Sequence, residues 1–190
     1  QNTEEKEIVI ISTNDIHGRI EQFSKLATFV KRIKEEHPNV ILVDAGDRFT
    51  GNPYVDHAKE KGFPIISLMN DLGYEVGTLG NHEFDFGQKI LRARINDATF
   101  PIICANINSS RGELDSIPPY YIIEKDGIKL GFIGLVQTGT DQIPSTNPER
   151  LKDITFDHYL DKVEDYKPLK RQCDVLIGLT HLGVDKDSIL

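Results

Sequence analysis

Four runs of apolar, mostly β-branched residues end directly in polar clusters, and this repeated junction constrains the fold more than any other feature. The runs cover residues 7–13, 40–43, 74–79 and 173–180. The first and last show little polar alternation, which predicts strands buried on both faces. A polar cluster follows each run at once. Side chains that could bind a ligand are therefore expected at the C-terminal ends of strands.

Segments with helical periodicity separate these runs. Apolar residues recur at helical spacing in residues 22–37, 54–72, 86–97 and 157–172. Residues 101–105 are a further strand candidate, whereas residues 106–116 and 138–153 are predicted to be irregular. Asp126 and Gly127 separate two apolar runs, 120–124 and 128–136, which indicates a β-hairpin. Alternating strands and helices with one hairpin predict a layered α/β fold with mixed sheets.

Composition limits the class of function. The 190 residues carry a formal charge of -8 and no long apolar run, which predicts no membrane span. An acidic surface repels a polyanion, so a nucleic-acid polymer is not an expected partner. Cys104 and Cys173 are far apart and best interpreted as small residues near strands, with a disulfide left open.

The strand-end clusters contain oxygen and imidazole donors but no thiolate. The candidates are Asp15, His17, Asp47, Asn81, His82, Asp85 and His181. This donor set suits hard or borderline divalent cations such as Mn, Fe, Zn or Mg. Asp-x-His in extended chain places two side chains on one face, where they can bind one ion. Asp47 could bridge two ions, with Asn81 and His181 completing the second site.

Such a site favours phosphoryl chemistry. Two ions roughly 3.5–4 Å apart clamp a phosphoryl group and generate a hydroxide at neutral pH. His82 is then free to protonate the leaving oxygen, and Asp85 could orient its imidazole. Each short motif alone is more often a turn or a structural histidine. The placement of these motifs at four strand ends of one chain favours a metal site.

Several residues near the clusters are less informative. Arg19 and Arg48 could face a phosphate, although an exposed arginine is the commoner explanation. His37, His57 and His158 are expected at the surface, and Glu83 has no assigned role. No P-loop, no Gly-x-Gly-x-x-Gly after the first strand and no Gly-x-Ser-x-Gly motif is present, which argues against those nucleotide and hydrolase sites.

The motif segments closely resemble the calcineurin-like metallophosphoesterases, in particular their 5'-nucleotidase branch, which includes UDP-sugar hydrolases and 2',3'-cyclic phosphodiesterases. These segments are residues 14–18 (Asn-Asp-Ile-His-Gly), 44–47 (Asp-Ala-Gly-Asp), 80–85 (Gly-Asn-His-Glu-Phe-Asp) and 179–183 (Leu-Thr-His-Leu-Gly). The resemblance implies a four-layer fold, in which two mixed β-sheets pack together and are flanked by helices. It also implies a phosphoric ester hydrolase acting on nucleotides or related phosphate esters, in a periplasmic or secreted setting.

The resemblance also implies roles for individual residues. One metal would be bound by Asp15, His17 and Asp47, and the other by Asp47, Asn81 and His181. A metal-bridging hydroxide would attack phosphorus in line. His82 would contact the phosphate and assist the leaving group, and Asp85 would pair with His82.

One departure from the family pattern concerns the end of the chain. Family members carry a Gly-His-x-His segment after the His181 motif, which supplies a further ligand to each metal, and then a C-terminal substrate-specificity domain. We therefore expect residues 1–190 to be the N-terminal metallophosphoesterase domain without its last part. Reduced metal affinity and turnover are the corresponding hypothesis. The alternative is a non-catalytic or impaired fragment that uses the fold as a scaffold.

Overall fold

Nine strands make up three sheets in the computed structural model, which describes residues 5–114 and 116–190. In chain order they are β1 (Val9–Thr13), β2 (Val40–Asp44), β3 (Val76–Thr78), β4 (Ile102–Ile103), β5 (Ile107–Asn108), β6 (Tyr120–Lys125), β7 (Ile128–Val136), β8 (Thr155–Phe156) and β9 (Val175–His181). The larger sheet has the order β1-β2-β3-β4 and is parallel in each described pairing. Its polar strand ends consequently meet at one edge.

The second sheet has the order β6-β7-β9 and is mixed. Strands β6 and β7 are antiparallel, as the hairpin predicts, and Asp126 and Gly127 both adopt positive φ in the turn (52° and 76°). Strand β9 runs parallel to β7, so His181 lies at the C-terminal end of that pair. Strands β5 and β8 form a separate antiparallel ladder.

Helices cover the outer faces of the two sheets. They are α1 (Phe23–Glu36), α2 (Pro53–Asp56), α3 (Phe63–Leu72), α4 (Gln88–Asp97), α5 (Tyr159–Tyr166) and α6 (Val184–Asp187). Apolar residues of α1, α3 and α4 pack on the first sheet, and those of α5 pack on the second. Between the sheets lies a third core that includes Val43, Ile103 and Phe132. The result is the predicted layered α/β fold with two packed sheets flanked by helices.

The two sheets approach each other closely at Gly134 of β7. A Cβ atom at this glycine would lie 2.4 Å from the carbonyl oxygen of Ile103 in β4. The amide of Ala105 also donates to the carbonyl of Gly134 at 2.7 Å. These contacts fix the position of the second sheet, and with it His181, relative to the first sheet.

Two strand predictions were wrong about burial. Strand β1 is the end strand of its sheet within the described residues, and Ile10 is 40% exposed. Strand β9 likewise ends its sheet, and Val175 is 45% exposed. A β-branched run indicates a strand, but the order of the strands in the sheet decides whether both faces of that strand are covered.

The segments between strands also differ from prediction. The predicted helix 54–72 is two helices, because the chain turns at Gly62, where φ is 77°. In the predicted helix 157–172, Pro168 favours a break or a restart, and this is confirmed: α5 ends at Tyr166 and a 3-10 helix that contains Pro168 follows. Strand β5 lies in the predicted loop 106–116 and was missed because it has only two residues. Residue 115 of that loop lies outside the described residues.

Both cysteines are free thiols, so the disulfide that the sequence left open is absent from the described structure. Cys104 is buried, and burial raises the pKa of its thiol to about 12.

None of the helices in residues 5–114 and 116–190 combines the length and the apolar composition needed to cross a bilayer.

Candidate metal centre

The ends of four strands bring the predicted site residues to one place. Asp15 and His17 follow β1, Asp47 follows β2, His82 follows β3, and His181 is the last residue of β9. Donor atoms of Asp15, Asp47 and His181 lie within 4.8 Å of one another, as do those of His17, Asp47 and His82. Asp47 belongs to both groups. The parallel alignment of β1, β2 and β3 explains why ligands that are far apart in sequence meet here.

Asp47 lies at the centre of the cluster. Its Oδ2 atom is 3.1 Å from Nε2 of His181 and 3.9 Å from Nε2 of His17, and its Oδ1 atom accepts the backbone amide of His82 at 2.8 Å. Burial opposes the charged carboxylate, but the hydrogen bonds and positive charges of His181 and His82 together outweigh it and lower the pKa of Asp47. Asp47 therefore stays ionised and presents two oxygens to the site.

The two predicted imidazole ligands are oriented by backbone carbonyls. Nδ1 of His17 lies 3.1 Å from the carbonyl oxygen of Thr50, and Nδ1 of His181 lies 2.9 Å from that of Ala45. A carbonyl oxygen only accepts, so Nδ1 carries the proton in both rings and Nε2 faces the carboxylates. An outer hydrogen bond of this kind is typical of metal-bound histidine.

Several residues in and beside the ligand cluster have a strained backbone. Asp15, His17, Asp47 and Thr50 all have left-handed φ angles (53°, 47°, 56° and 54°). Non-glycine residues in this region cost about 1–3 kcal/mol each, and such strain clusters at functional sites. Here the left-handed backbone turns the chain after each strand ends, so that the side chains of neighbouring residues face the ligand cluster.

Gly80 is needed for space rather than for a positive φ. A Cβ atom at Gly80 would lie 2.2 Å from Oδ1 of Asp47, and one at Gly46 would lie 2.6 Å from the amide nitrogen of Gly80. The backbones that follow β2 and β3 are thus in direct contact. Only two glycines allow Asp47 and Asn81 to approach this closely.

The side chain of Asn81 is held by a backbone carbonyl. Its Nδ2 atom donates to the carbonyl oxygen of Ser145 at 3.0 Å, which leaves Oδ1 as the atom available to an ion. Asn81 follows β3 and directly precedes His82, and its role as a metal ligand stays a prediction.

His82 and Asp85 form a hydrogen-bonded pair. Nδ1 of His82 lies 2.7 Å from Oδ2 of Asp85, and the His82 ring is 5.0 Å from the ring of His17 in an edge-on arrangement. Partial burial disfavours the imidazolium, but the hydrogen bond to Asp85 and the negative charges of Asp47, Asp85 and Glu83 together outweigh it and raise the pKa of His82. The Nε2 atom of His82 is left free to act as a proton donor beside the carboxylates.

Glu83, to which the sequence assigned no role, holds together the backbone segments that follow β2 and β3. Its carboxylate is fully buried and accepts the backbone amides of Asp47 and Arg48, each at 2.8 Å, and of Gly80 at 2.5 Å. Three backbone amides from two strand ends therefore share one carboxylate. The only signal for this role in the sequence was the position of an acidic residue directly between His82 and Phe84, which is buried.

The prediction of an exposed or phosphate-facing Arg48 was wrong. Arg48 is 1% exposed, and its guanidinium binds Asp44 at 2.6 Å and lies 3.8 Å from Glu83. Burial opposes the charge, but the carboxylates of Asp44, Glu83 and Asp47 together outweigh it and raise the pKa of Arg48. Arg48 neutralises buried acids beneath the site. Arg19 is exposed, as the commoner explanation predicted.

The donor set fits divalent cations. It combines carboxylates and imidazoles within reach of one another, and neither ligand group includes a thiolate. The carbonyl-oriented histidines and the ionised Asp47 match what a hard or borderline ion requires. The structure thus brings together Asp15, His17, Asp47 and His181 from distant parts of the sequence, while their role as metal ligands stays a prediction. Their supporting residues were not predicted.

The comparisons with known proteins agree on one family. Residues 8–189 match the family described as calcineurin-like phosphoesterase. The chain is 31% identical over 214 aligned positions to the trifunctional nucleotide phosphoesterase protein YfkN of Bacillus subtilis, covering 94% of this chain and 14% of that protein. It is 31% identical to the 5'-nucleotidase of Rattus norvegicus, covering 97% of this chain and 35% of that protein.

A solved structure shows the same architecture. The 5'-nucleotidase precursor from Thermus thermophilus superposes with a TM-score of 0.84 at 26% identity, covering 95% of this chain and 38% of that one. The chain thus spans well under half the length of these relatives. By the match along almost its whole length, the chain belongs to the calcineurin-like phosphoesterase family.

Proposed function

We propose that this chain is the catalytic region of a metal-dependent phosphoric ester hydrolase of the 5'-nucleotidase type. The observation that carries the proposal is the pair of ligand groups that share Asp47, with the His82–Asp85 pair beside them. The nucleotidase relatives support the substrate class, which is a nucleotide or a related phosphate ester.

Two divalent cations, of Mn, Zn, Fe or Mg, would occupy the site. Asp15, His17 and Asp47 would hold one, and Asp47, Asn81 and His181 the other. When bound, such ions supply an activated water nucleophile and neutralise the charge of the phosphoryl group. The chain contributes the bridging carboxylate, the oriented imidazoles and a rigid strand-end scaffold.

His82 would assist departure of the leaving group. Its Nδ1 is held by Asp85, so Nε2 carries the transferable proton. A raised pKa favours the protonated form of this imidazole, which a general acid requires. After the phosphorus–oxygen bond breaks, that proton neutralises the departing alkoxide. Nε2 of His82 would also contact the phosphate.

The position of the chain in the whole protein is part of the proposal. We take residues 1–190 as part of an N-terminal metallophosphoesterase domain, with substrate specificity set by a C-terminal domain. A periplasmic or secreted location is proposed, because a snake venom 5'-nucleotidase from Naja atra is 33% identical to this chain. Nucleotide breakdown outside the cytoplasm would be the corresponding role.

The proposal is tested by hydrolysis assays with added Mn, using both a nucleoside 5'-monophosphate and a chromogenic phosphate ester. With the nucleoside 5'-monophosphate, His82→Ala should lose roughly 100-fold or more in kcat, the scale of a lost general acid. Asn81→Ala, which removes a proposed metal ligand, should lose most of its activity toward both substrates. His57→Ala, which changes an exposed histidine outside the ligand groups, should retain parent activity. Equal rates in the parent and in Asn81→Ala would favour the scaffold alternative.

A further inference from the structure

The carboxylate of Asp85 is held by three donors. Besides Nδ1 of His82, the hydroxyl of Thr50 donates to Oδ2 at 2.9 Å and the hydroxyl of Thr146 donates to Oδ1 at 3.1 Å. Thr146 alone among these donors engages Oδ1, so it sets the rotation of the carboxylate about its Cβ–Cγ bond. That rotation decides where Oδ2 meets the imidazole.

Thr146 belongs to a loop of residues 139–147 that the sequence predicted to be irregular. The loop is anchored at its centre. Pro144 is buried there, and Ile143 packs against the core between the first sheet and helices α1, α3 and α4. A hydrogen bond of 2.8 Å from the amide of Gly139 to the carbonyl of Ile143 closes its first half.

The segment after the loop is tied to the first residue of α4. Asn147 caps the 3-10 helix Pro148–Leu151, whose Leu151 is 5% exposed. Gln88, three residues after Asp85, donates from Nε2 to the carbonyls of Arg150 at 3.1 Å and Lys152 at 2.8 Å. The loop therefore has a fixed place relative to Asp85.

The same loop orients a second site residue. The carbonyl of Ser145 accepts Nδ2 of Asn81 at 3.0 Å, while the neighbouring hydroxyl of Thr146 holds Asp85. Two adjacent residues of one loop thus contact both ends of the motif 80–85. Such contacts point to positioning, because packing alone requires neither hydrogen bond.

We propose that Thr146 is a positioning residue for the reaction: its hydroxyl fixes the plane of the Asp85 carboxylate so that His82 presents Nε2 to the leaving oxygen. The proposal rests on the function proposed above. It deepens that function by assigning the 139–147 loop to the proton-transfer half of the reaction.

The test compares Thr146→Val with Thr146→Ser in the full-length protein with Mn. Valine keeps the shape but lacks the hydroxyl, so kcat for a nucleoside 5'-monophosphate should fall roughly 10-fold to 30-fold, the scale of one hydrogen bond to a charged group. KM and bound Mn should change by less than about 2-fold, since the ligands themselves are intact. Serine should restore most of the activity.

The leaving group separates positioning from a merely structural role. An aryl phosphate with an acidic phenol needs little protonation, so Thr146→Val should slow its hydrolysis by less than about 3-fold. In an Asp85→Asn background Thr146→Val should have no further effect, because both changes act through one carboxylate. Thr28→Val removes an exposed hydroxyl on α1 and is the control, with parent activity expected.

A readout without turnover comes from NMR of the metal-free protein. The Nδ1 proton of His82 should be protected from solvent exchange in the parent and in Thr146→Ser but exchange faster in Thr146→Val. Equal slowing of both esters, or unchanged kcat in Thr146→Val, would overturn the positioning role while leaving the proposed function in place. A parent that hydrolyses neither ester would overturn both.

Discussion

At the residue scale, Glu83 shows how a buried charge can be satisfied without facing the substrate. Its two oxygens accept three backbone amides, and Arg48 supplies a nearby positive charge. A buried carboxylate is costly unless it is paired and hydrogen-bonded, and here both conditions hold. The benefit is a fixed Asp47, because the amide of Asp47 is one of the three donors.

Glu83→Gln is expected to lower the free energy of unfolding by about 2–4 kcal/mol, since one amide oxygen cannot replace two carboxylate oxygens and Arg48 loses a counter-charge. Urea denaturation in the presence of a chelator measures this without a contribution from bound metal. Glu35→Gln, at a side chain that is 65% exposed on α1, is the matched control. It should change stability by less than about 0.5 kcal/mol. Similar losses in the two variants would contradict the supporting role of Glu83.

At the element scale, the junction after β2 and β3 depends on two glycines in contact. Gly46 has a φ of 97°, and the space around Gly80 is filled by Asp47. The polar clusters were predictable because each one directly follows a β-prone run. The contact between them was not, because it depends on which strands become neighbours in the sheet.

Gly80→Ala should separate the ends of β2 and β3, because the new methyl group would lie 2.2 Å from Oδ1 of Asp47. We expect a loss of about 1–3 kcal/mol in stability from overpacking and a clear fall in Mn affinity. Thermal unfolding and calorimetric Mn titration measure the two effects. Gly178→Ala is the control, since its nearest heavy atom is Cγ2 of Thr180 at 3.2 Å in an exposed strand. Unchanged Mn affinity in Gly80→Ala would refute the close-approach argument.

Long-range contacts also explain the other differences between sequence and structure. Arg48 follows a ligand motif and could equally face solvent or the core, and only the tertiary fold places it beside Asp44. Thr146 lies more than 60 residues from Asp85 with no motif around it. The hairpin at Asp126 was predictable because its signal is local.

At the scale of the whole molecule, the candidate centre joins two sheets. Four of the five candidate ligands, Asp15, His17, Asp47 and Asn81, follow strands of the first sheet, whereas His181 ends a strand of the second. An ion held by both sets would link the sheets. Ligand binding to the folded state alone stabilises it by about 2.7 kcal/mol at 100 times Kd.

His181 makes this stabilisation depend on pH. Burial opposes its positive charge, but the hydrogen bonds to Asp47 and Ala45 and the nearby negative charges together outweigh burial and raise its pKa to about 9 in the metal-free protein. A raised histidine pKa adds stability that is fully present below the ordinary value of about 6.5 and is lost as pH rises through about 9. An ion needs the deprotonated Nε2 of His181, so metal binding must release this proton.

The melting temperature of the metal-free protein should therefore fall between about pH 6.5 and pH 9, while the increase produced by Mn should grow over the same range. Thermal unfolding of chelator-treated protein, with and without Mn, measures both trends. His181→Asn should flatten the trend of the metal-free protein, whereas His37→Asn, which changes a surface histidine bound to Glu7, should not. A Mn-induced increase that stays constant from about pH 6.5 to pH 9 would show that His181 does not exchange its proton for the ion.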